Sequence, residues 1–183
     1  MRLLKAAFDL PAVIAALRPL LDGAPVRSAL LPGAVDREAA ADMLGRARWR
    51  SFDLAHRGRY AFSAAPDPSL RAFAEALCGK GLSTARARLF RFGQGDYSLS
   101  ADDAETRVPE SVEVTADLSA DKCGEGEVVY ADGAARLVVP HQPGLVSVVV
   151  RTAGVYRHER YLTRAVGDAA IVRLRVAFPL ARH

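Results

Sequence analysis

The chain has 183 residues, of which half are hydrophobic and a quarter are charged, and its formal net charge is +4. This length is enough for one domain with a sizeable core, and the composition is typical of a soluble globular protein. All but three of the 25 basic residues are arginine. They are scattered rather than clustered among aromatic residues, so we expect no nucleic-acid binding and, without a long apolar run, no membrane span.

The first residues carry no apolar segment with a cleavage signature, which predicts a cytoplasmic protein. Cys78 and Cys123 are far apart and form no Cys-x-x-Cys pattern. We therefore interpret them as two reduced thiols rather than a disulfide or a redox pair.

Residues 1–83 are predicted to be mostly helical, with the first strands among them. Apolar residues at helical spacing indicate helices over 10–21, 36–48 and 68–78. Asp36 is the predicted N-cap of the second helix and Asp67 that of the third. Between Trp49 and Ala65, aromatic residues on either side of a polar turn indicate strands.

From residue 84 onward the pattern is β almost throughout. Short apolar segments separated by Gly, Pro and Asp predict strands over 87–92, 111–118, 127–131, 135–139, 145–151, 157–163 and 170–178. Strands at this spacing favour a sandwich or a closed roll of two facing antiparallel sheets. We therefore predict a single domain over 1–183, in which 1–83 supports a β core over 84–183.

One stretch carries a more specific pattern. After the predicted strand 87–92 come Gly95-Asp96-Tyr97 and, a few residues later, the acidic residue Asp103. This resembles the first metal-ligand strand of the 2-oxoglutarate/Fe(II)-dependent oxygenases, in the prolyl-4-hydroxylase-like branch. There, Gly-Asp-Tyr is followed by His-x-Asp. Asp103 takes the carboxylate position of that motif, and Ala101 stands where the first His is expected.

Further segments resemble the same family in the same order. Residues 123–130 are similar to its Gly-rich turn and strand, residues 137–146 to its Pro-x-x-Gly hairpin, and His158-Glu159 to the segment with its distal His. The resemblance covers about residues 50–180. It implies a fold that is mainly β with N-terminal helices, a double-stranded β-helix or jelly roll.

The family's chemistry implies Fe(II) and 2-oxoglutarate as cofactors, and hydroxylation of a small molecule or a peptide side chain as the activity. Two His and one carboxylate normally hold the iron. Carried over to this chain, the ligands are Asp103 and His158, with Ala101 unable to coordinate. Tyr97 is a candidate pocket residue.

The family anchors 2-oxoglutarate through a basic residue on its last strand, because a guanidinium binds a carboxylate in a bidentate manner. Arg173 is the candidate here, with Arg175 next on the same face. The alternative is that both arginines form the solvent face of a strand whose Val172 and Leu174 pack inward.

The missing ligand leaves the activity open. One alternative is a non-catalytic, degenerate oxygenase fold that holds no cofactor and acts as a binding or interaction module. Another is a rearranged site in which Asp102, Asp103 and His158 hold a metal weakly. The sequence assigns no catalytic residue, substrate or oligomeric state.

The remaining histidines have a simpler interpretation. His141 lies in a predicted turn, and we expect it, like His56 and His183, to be a surface residue. The charged segment around His158 could likewise be an exposed strand.

Overall fold

In the computed structural model, residues 2–21, 26–66, 68–85, 87–99 and 110–181 are described. The three α-helices are α1 Pro11–Leu17, α2 Arg37–Gly45 and α3 Arg71–Cys78. Short 3-10 helices cover Ala6–Asp9, Arg18–Leu21 and Arg164–Val166. The strands are β1 Ser28–Leu31, β2 Arg50–Leu54, β3 Gly58–Ala64, β4 Ala87–Phe92, β5 Tyr97–Ser98, β6 Ser111–Asp117, β7 Val128–Asp132, β8 Ala135–Val139, β9 Val146–Arg151, β10 Tyr156–Glu159 and β11 Ile171–Pro179.

The helices are shorter than predicted, for local reasons. The first helix continues as a 3-10 helix from Arg18, because the next residue, Pro19, has no N–H to donate to an α-helical hydrogen bond. The second begins as predicted, because the carboxylate of Asp36 accepts a hydrogen bond from the N–H of Ala39 at 3.0 Å. Asp67, the predicted cap of the third helix, lies outside the described residues.

The strands of the described residues form one eleven-stranded sheet. Its larger half has the order β1-β9-β6-β11-β4-β3, with β2 beside β3, and its smaller half has the order β5-β10-β7-β8. The halves meet where β3 pairs with β5, Gly58 opposite Ser98. The pairs between strands are antiparallel. We predicted two facing antiparallel sheets; the facing parts are the two halves of one continuous sheet.

The sheet curls so that its halves face each other. The hydroxyl of Tyr130 on β7 donates to the carboxylate of Glu113 on β6 at 2.5 Å, although these strands are not neighbours in the sheet. The strand order and this curl are those of a double-stranded β-helix, which confirms the predicted fold class. Two strands were missed: β1, which pairs with β9 at the edge of the larger half, and the two-residue β5.

The main hydrophobic core lies between the larger half of the sheet and the helices. Phe73 and Leu77 of α3 pack there with Val114, Val148 and Leu174 of the sheet. Because side chains alternate along a strand, the residues between these valines and leucines point to the other side, into the space between the two halves. We call this space the interior. In the described part of the chain, no helix is long and apolar enough to cross a membrane.

Candidate functional site

The interior contains a group of charged side chains, which we call the interior cluster. Its charged members are at most 4 % exposed. On β6, β9 and β11 they alternate with apolar residues that face the helices, so ordinary strand periodicity places them inside. The cluster consists of Glu113 on β6, Arg151 on β9, Arg157 and Glu159 on β10, Arg173 and Arg175 on β11, and Tyr130 on β7.

Glu113 is the centre of one half of the cluster. Its carboxylate accepts hydrogen bonds from the guanidinium of Arg157 at 2.5 Å, from that of Arg151 at 3.1 Å and from the hydroxyl of Tyr130 at 2.5 Å. Burial alone would raise the pKa of Glu113, but the facing guanidinium groups outweigh it and lower the pKa from 4.5 to about 2. Glu113 is therefore ionised across the physiological pH range.

The carboxylate of Glu113 also affects the phenol of Tyr130, whose pKa is raised. Burial, and then the negative charge of Glu113, raise the pKa of its phenol above the ordinary value. The phenol stays protonated and serves as a hydrogen-bond donor.

Glu159 is the centre of the other half. Its carboxylate pairs with Arg175 at 2.6 Å and with Arg173. Arg173 also donates to the backbone carbonyl of Gly126. The guanidinium of Arg175 lies 4.4 Å from the centre of the Phe90 ring, a cation–π contact. Both arginines are thus held in fixed positions.

The cluster combines four guanidinium groups with the carboxylates of Glu113 and Glu159. A third carboxylate, Asp117, lies on β6 directly opposite Arg173. The Nδ1–H of His141 donates to Asp117 at 2.7 Å, and Asp117 also accepts from the N–H groups of Ser119 and Gln142. Burial would raise the pKa of Asp117, but these hydrogen bonds, with Arg173, lower it.

His141 is buried, at 4 % exposure, and so the expectation that it is a surface residue was wrong. Its second ring nitrogen lies 3.1 Å from the carbonyl of Asp121, so both nitrogens face acceptors. The turn that carries His141 folds back over the end of β6, which a turn pattern in the sequence does not reveal.

Of the predicted site residues, Arg173, Tyr97 and His158 lie among the described residues, and each occupies a different place in the fold. Arg173 lies inside, as expected for an anchor, and the solvent-face alternative for Arg173 and Arg175 was wrong, because each is 3 % exposed. Tyr97 is half-buried, and its hydroxyl donates to the backbone carbonyl of Ala55 at 2.9 Å. Asp103, Asp102 and Ala101 lie outside the described residues.

His158 lies between Arg157 and Glu159 on β10, and both of these neighbours point inward. Strand alternation therefore places His158 on the outer face, where its partner on β7 is Val129. Partial burial, and then the charge of Arg160, lower the pKa of this imidazole. The expectation of an exposed strand holds for neither Arg157 nor Glu159, which are 4 % and 3 % exposed.

An iron centre needs two imidazoles and a carboxylate facing one point. Within the described ranges, no three His, Cys, Asp or Glu residues are grouped so that they could hold a metal ion. The imidazole of His158 faces away from the interior. The described residues thus do not fit the iron of the oxygenases, and ligation by Asp103 and His158 stays a prediction.

No family model matches the sequence, and no curated protein matches it. Solved structures do match. A prolyl-4-hydroxylase from Pseudomonas putida superposes with a TM-score of 0.69 over 91% of this chain and 98% of its own, at 12% identity. The fold is that of the 2-oxoglutarate-Fe(II) oxygenases.

Two further oxygenase-fold structures support the same conclusion. An oxidoreductase of the 2OG-Fe(II) oxygenase family from Burkholderia pseudomallei covers 98% of this chain and 96% of its own, at 14% identity and a TM-score of 0.67. The α-ketoglutarate-dependent epimerase SnoN of nogalamycin biosynthesis covers 92% and 83%, at 15% identity and a TM-score of 0.60. At these identities, the oxygenase likeness is one of fold.

Sequence reasoning missed most of the interior cluster. The segment Ser111–Asp117 alternates polar and apolar residues, the usual pattern of a strand with one solvent face. Here both faces are buried. The signal that could have indicated this is charge complementarity: the polar positions of β6 and β10 carry carboxylates where those of β11 carry arginines. Recognising it requires knowing that β6 lies beside β11 in the sheet and that β10 lies across the interior from β11.

Proposed function

We propose that this chain is an oxygenase-fold binding module whose interior works without a resident iron. One observation carries the proposal: β10 directs Arg157 and Glu159 inward, into buried ion pairs, and turns His158 outward. The position that would supply an imidazole to a metal instead supplies charges to a closed network. Its ligand is a small molecule or a peptide side chain.

The electrostatics of the interior support this proposal. A divalent cation entering the cluster would meet four guanidinium groups, those of Arg151, Arg157, Arg173 and Arg175. Two unit charges about 4 Å apart interact by roughly 4 kcal/mol at an effective dielectric constant of about 20. The carboxylates that could attract the cation are already bonded to arginines, so metal binding would have to break those pairs.

The second candidate is an Fe(II)- and 2-oxoglutarate-dependent dioxygenase that hydroxylates a small molecule or a peptide side chain. The fold similarity favours it, as does the buried position of Arg173 on the last strand of the sheet. Arg173 could bind a carboxylate of 2-oxoglutarate only by giving up part of its bonding to Glu159 and Gly126. This candidate also requires that Asp103 and a second ligand complete a site with His158.

Calorimetric titration with Mn(II), a redox-stable substitute for Fe(II), separates the candidates. It is run with and without 2-oxoglutarate, on the wild type and on Ala101→His. We expect no saturable Mn(II) binding by either protein, because His158 lies on the outer face. Circular dichroism of both proteins checks that the variant is folded.

Either of two results would overturn the proposal. Tight Mn(II) binding by the wild type would mean that the chain holds a complete metal site and would favour the dioxygenase. A gain of Mn(II) binding in Ala101→His would mean that Asp103 and His158 do converge on one point.

A further inference from the structure

A second cationic region lies at the open edge of the sheet, outside the interior cluster. It is a cleft of about 790 Å³ with arginines on its walls and apolar residues on its floor. This volume is within the range of small-molecule sites. The lining residues that matter here are Arg46, Arg48, Arg50, Arg88, Phe62 and Ala64.

The register of the strands explains why these side chains converge. Arg50 on β2 is opposite Phe62 on β3, and Ala64 on β3 is opposite Arg88 on β4. Directly opposite residues of antiparallel strands point to the same side, as do Phe62 and Ala64, two residues apart. On the other side of β4, Arg88 is opposite Arg175 of the interior cluster. The cleft therefore lies on the same face of the sheet as the interior.

The side chains on the floor of the cleft are shorter than the arginine side chains on its walls. Between Arg50 and Arg88 lies the single strand β3, which contributes only a methyl group at Ala64 and the ring of Phe62. Strand spacing and rise put the two arginine α-carbons roughly 12 Å apart. Two guanidinium groups on flexible stems can therefore reach a pair of acid groups on one ligand lying across β3.

Most of the arginines in the cleft form no ion pair with a carboxylate of the described residues. Arg46 pairs with Asp42 at 2.8 Å, but no carboxylate in the described part of the chain pairs with Arg48, Arg50 or Arg88, all of which are exposed. None of the described lining residues is acidic. The backbone N–H of Arg48 donates to the buried hydroxyl of Ser63 at 2.9 Å, which fixes the segment that leads into β2.

We infer that this cleft binds a small molecule with at least two acid groups, phosphate or carboxylate, which Arg50 and Arg88 hold from either side of β3. Guanidinium groups form bidentate, charge-assisted hydrogen bonds with both kinds of acid. The inference deepens the proposed function, on which it rests for the role of the chain as a binding module, by naming the ligand class and the place of binding.

The test is isothermal titration with pyrophosphate and, separately, with citrate, at constant ionic strength. The variants are Arg50→Gln, Arg88→Gln and the double substitution. Arg91→Gln is the matched control, because Arg91 is exposed on the same strand as Arg88 but points to the opposite face. All three substituted positions are exposed, and we expect the four variants to keep the melting temperature of the wild type.

Saturable binding of either anion, weakened about tenfold by each single substitution and unaffected by Arg91→Gln, would support the inference. The anion that binds more tightly distinguishes phosphate from carboxylate ligands. Absence of saturable binding for both anions, or equal binding by the double variant and the wild type, would overturn it.

A single-stranded oligonucleotide provides the third arm of the test. If it bound far more tightly than pyrophosphate, with the steep salt dependence of phosphate-backbone contacts, the small-molecule inference would be wrong. The Mn(II) titration is independent of all three arms, so the cleft inference and the metal-free proposal can fail separately.

Discussion

Glu113→Gln is the most direct test of the interior cluster. The substitution keeps the size of the side chain but removes the charge that faces the guanidinium groups of Arg151 and Arg157. Removing one partner of a buried ion pair typically costs about 3–5 kcal/mol, since it leaves the other charge buried and uncompensated.

The pKa of Glu113 gives an independent magnitude. A fall from 4.5 to about 2 corresponds to roughly 3 kcal/mol of preference for the ionised form in the folded protein. Because the folded pKa is below the unfolded value, this stabilisation is present above pH 4.5 and is lost as the pH falls towards 2. We therefore expect Glu113→Gln to lower the free energy of unfolding by about 3 kcal/mol at pH 7. We also expect the variant to lose less stability than the wild type on acidification.

Urea unfolding at pH 7 and at pH 3 measures both effects, and urea is preferred because guanidinium chloride would screen the ion pairs. The matched control is Glu127→Gln, which removes a carboxylate from the exposed pair with Arg160 and should cost no more than about 1 kcal/mol. If Glu113→Gln is too unstable to purify, Tyr130→Phe removes one hydrogen bond to the same carboxylate and should cost about 1–3 kcal/mol. A cost below about 1 kcal/mol for Glu113→Gln, with an unchanged response to acid, would refute the reasoning.

Three further predictions concern other parts of the fold. Gly126→Ala should lower the melting temperature strongly, because Gly126 has φ +92° and a Cβ there would lie 1.9 Å from the Cδ1 of buried Ile171; a wild-type melting temperature would contradict this. His141→Ala should cost at least about 2 kcal/mol in urea unfolding by leaving the buried carboxylate of Asp117 without its main donor, whereas His56→Ala, at an exposed position, should be neutral. Asp36→Ala should cost about 1 kcal/mol in urea unfolding, as loss of an N-cap does, and Asp36→Asn should restore most of it.

The fold could be predicted from the sequence to a large extent, because its signals are local. Strands such as β4 and β8 were predicted with the observed bounds, since turn residues mark their ends. Strand β1 was missed because Ser28–Leu31 is only four residues long and gains its partner, β9, from far along the chain.

The candidate site was predicted less well, for a physical reason. A motif aligned by sequence fixes the order of residues but not the face of the strand on which each lies, and a one-residue difference moves a side chain to the other face. His158 and Glu159 are adjacent, yet only Glu159 points into the interior. The ion pairs of the interior cluster join residues up to 62 positions apart, so no local pattern indicates them.

The position of β11 has a consequence for biosynthesis. This strand lies between β4 and β6, at the centre of the larger half of the sheet, but it is synthesised after every other strand. At about 5–20 residues per second, β4 waits several seconds on the ribosome for its partner. During that time the apolar faces of β4 and β6 have no strand between them, and the carboxylate of Glu159 has neither of its arginines. Until the segment Ile171–Pro179 has emerged from the ribosome, these uncovered faces are the surfaces through which the nascent chain can aggregate.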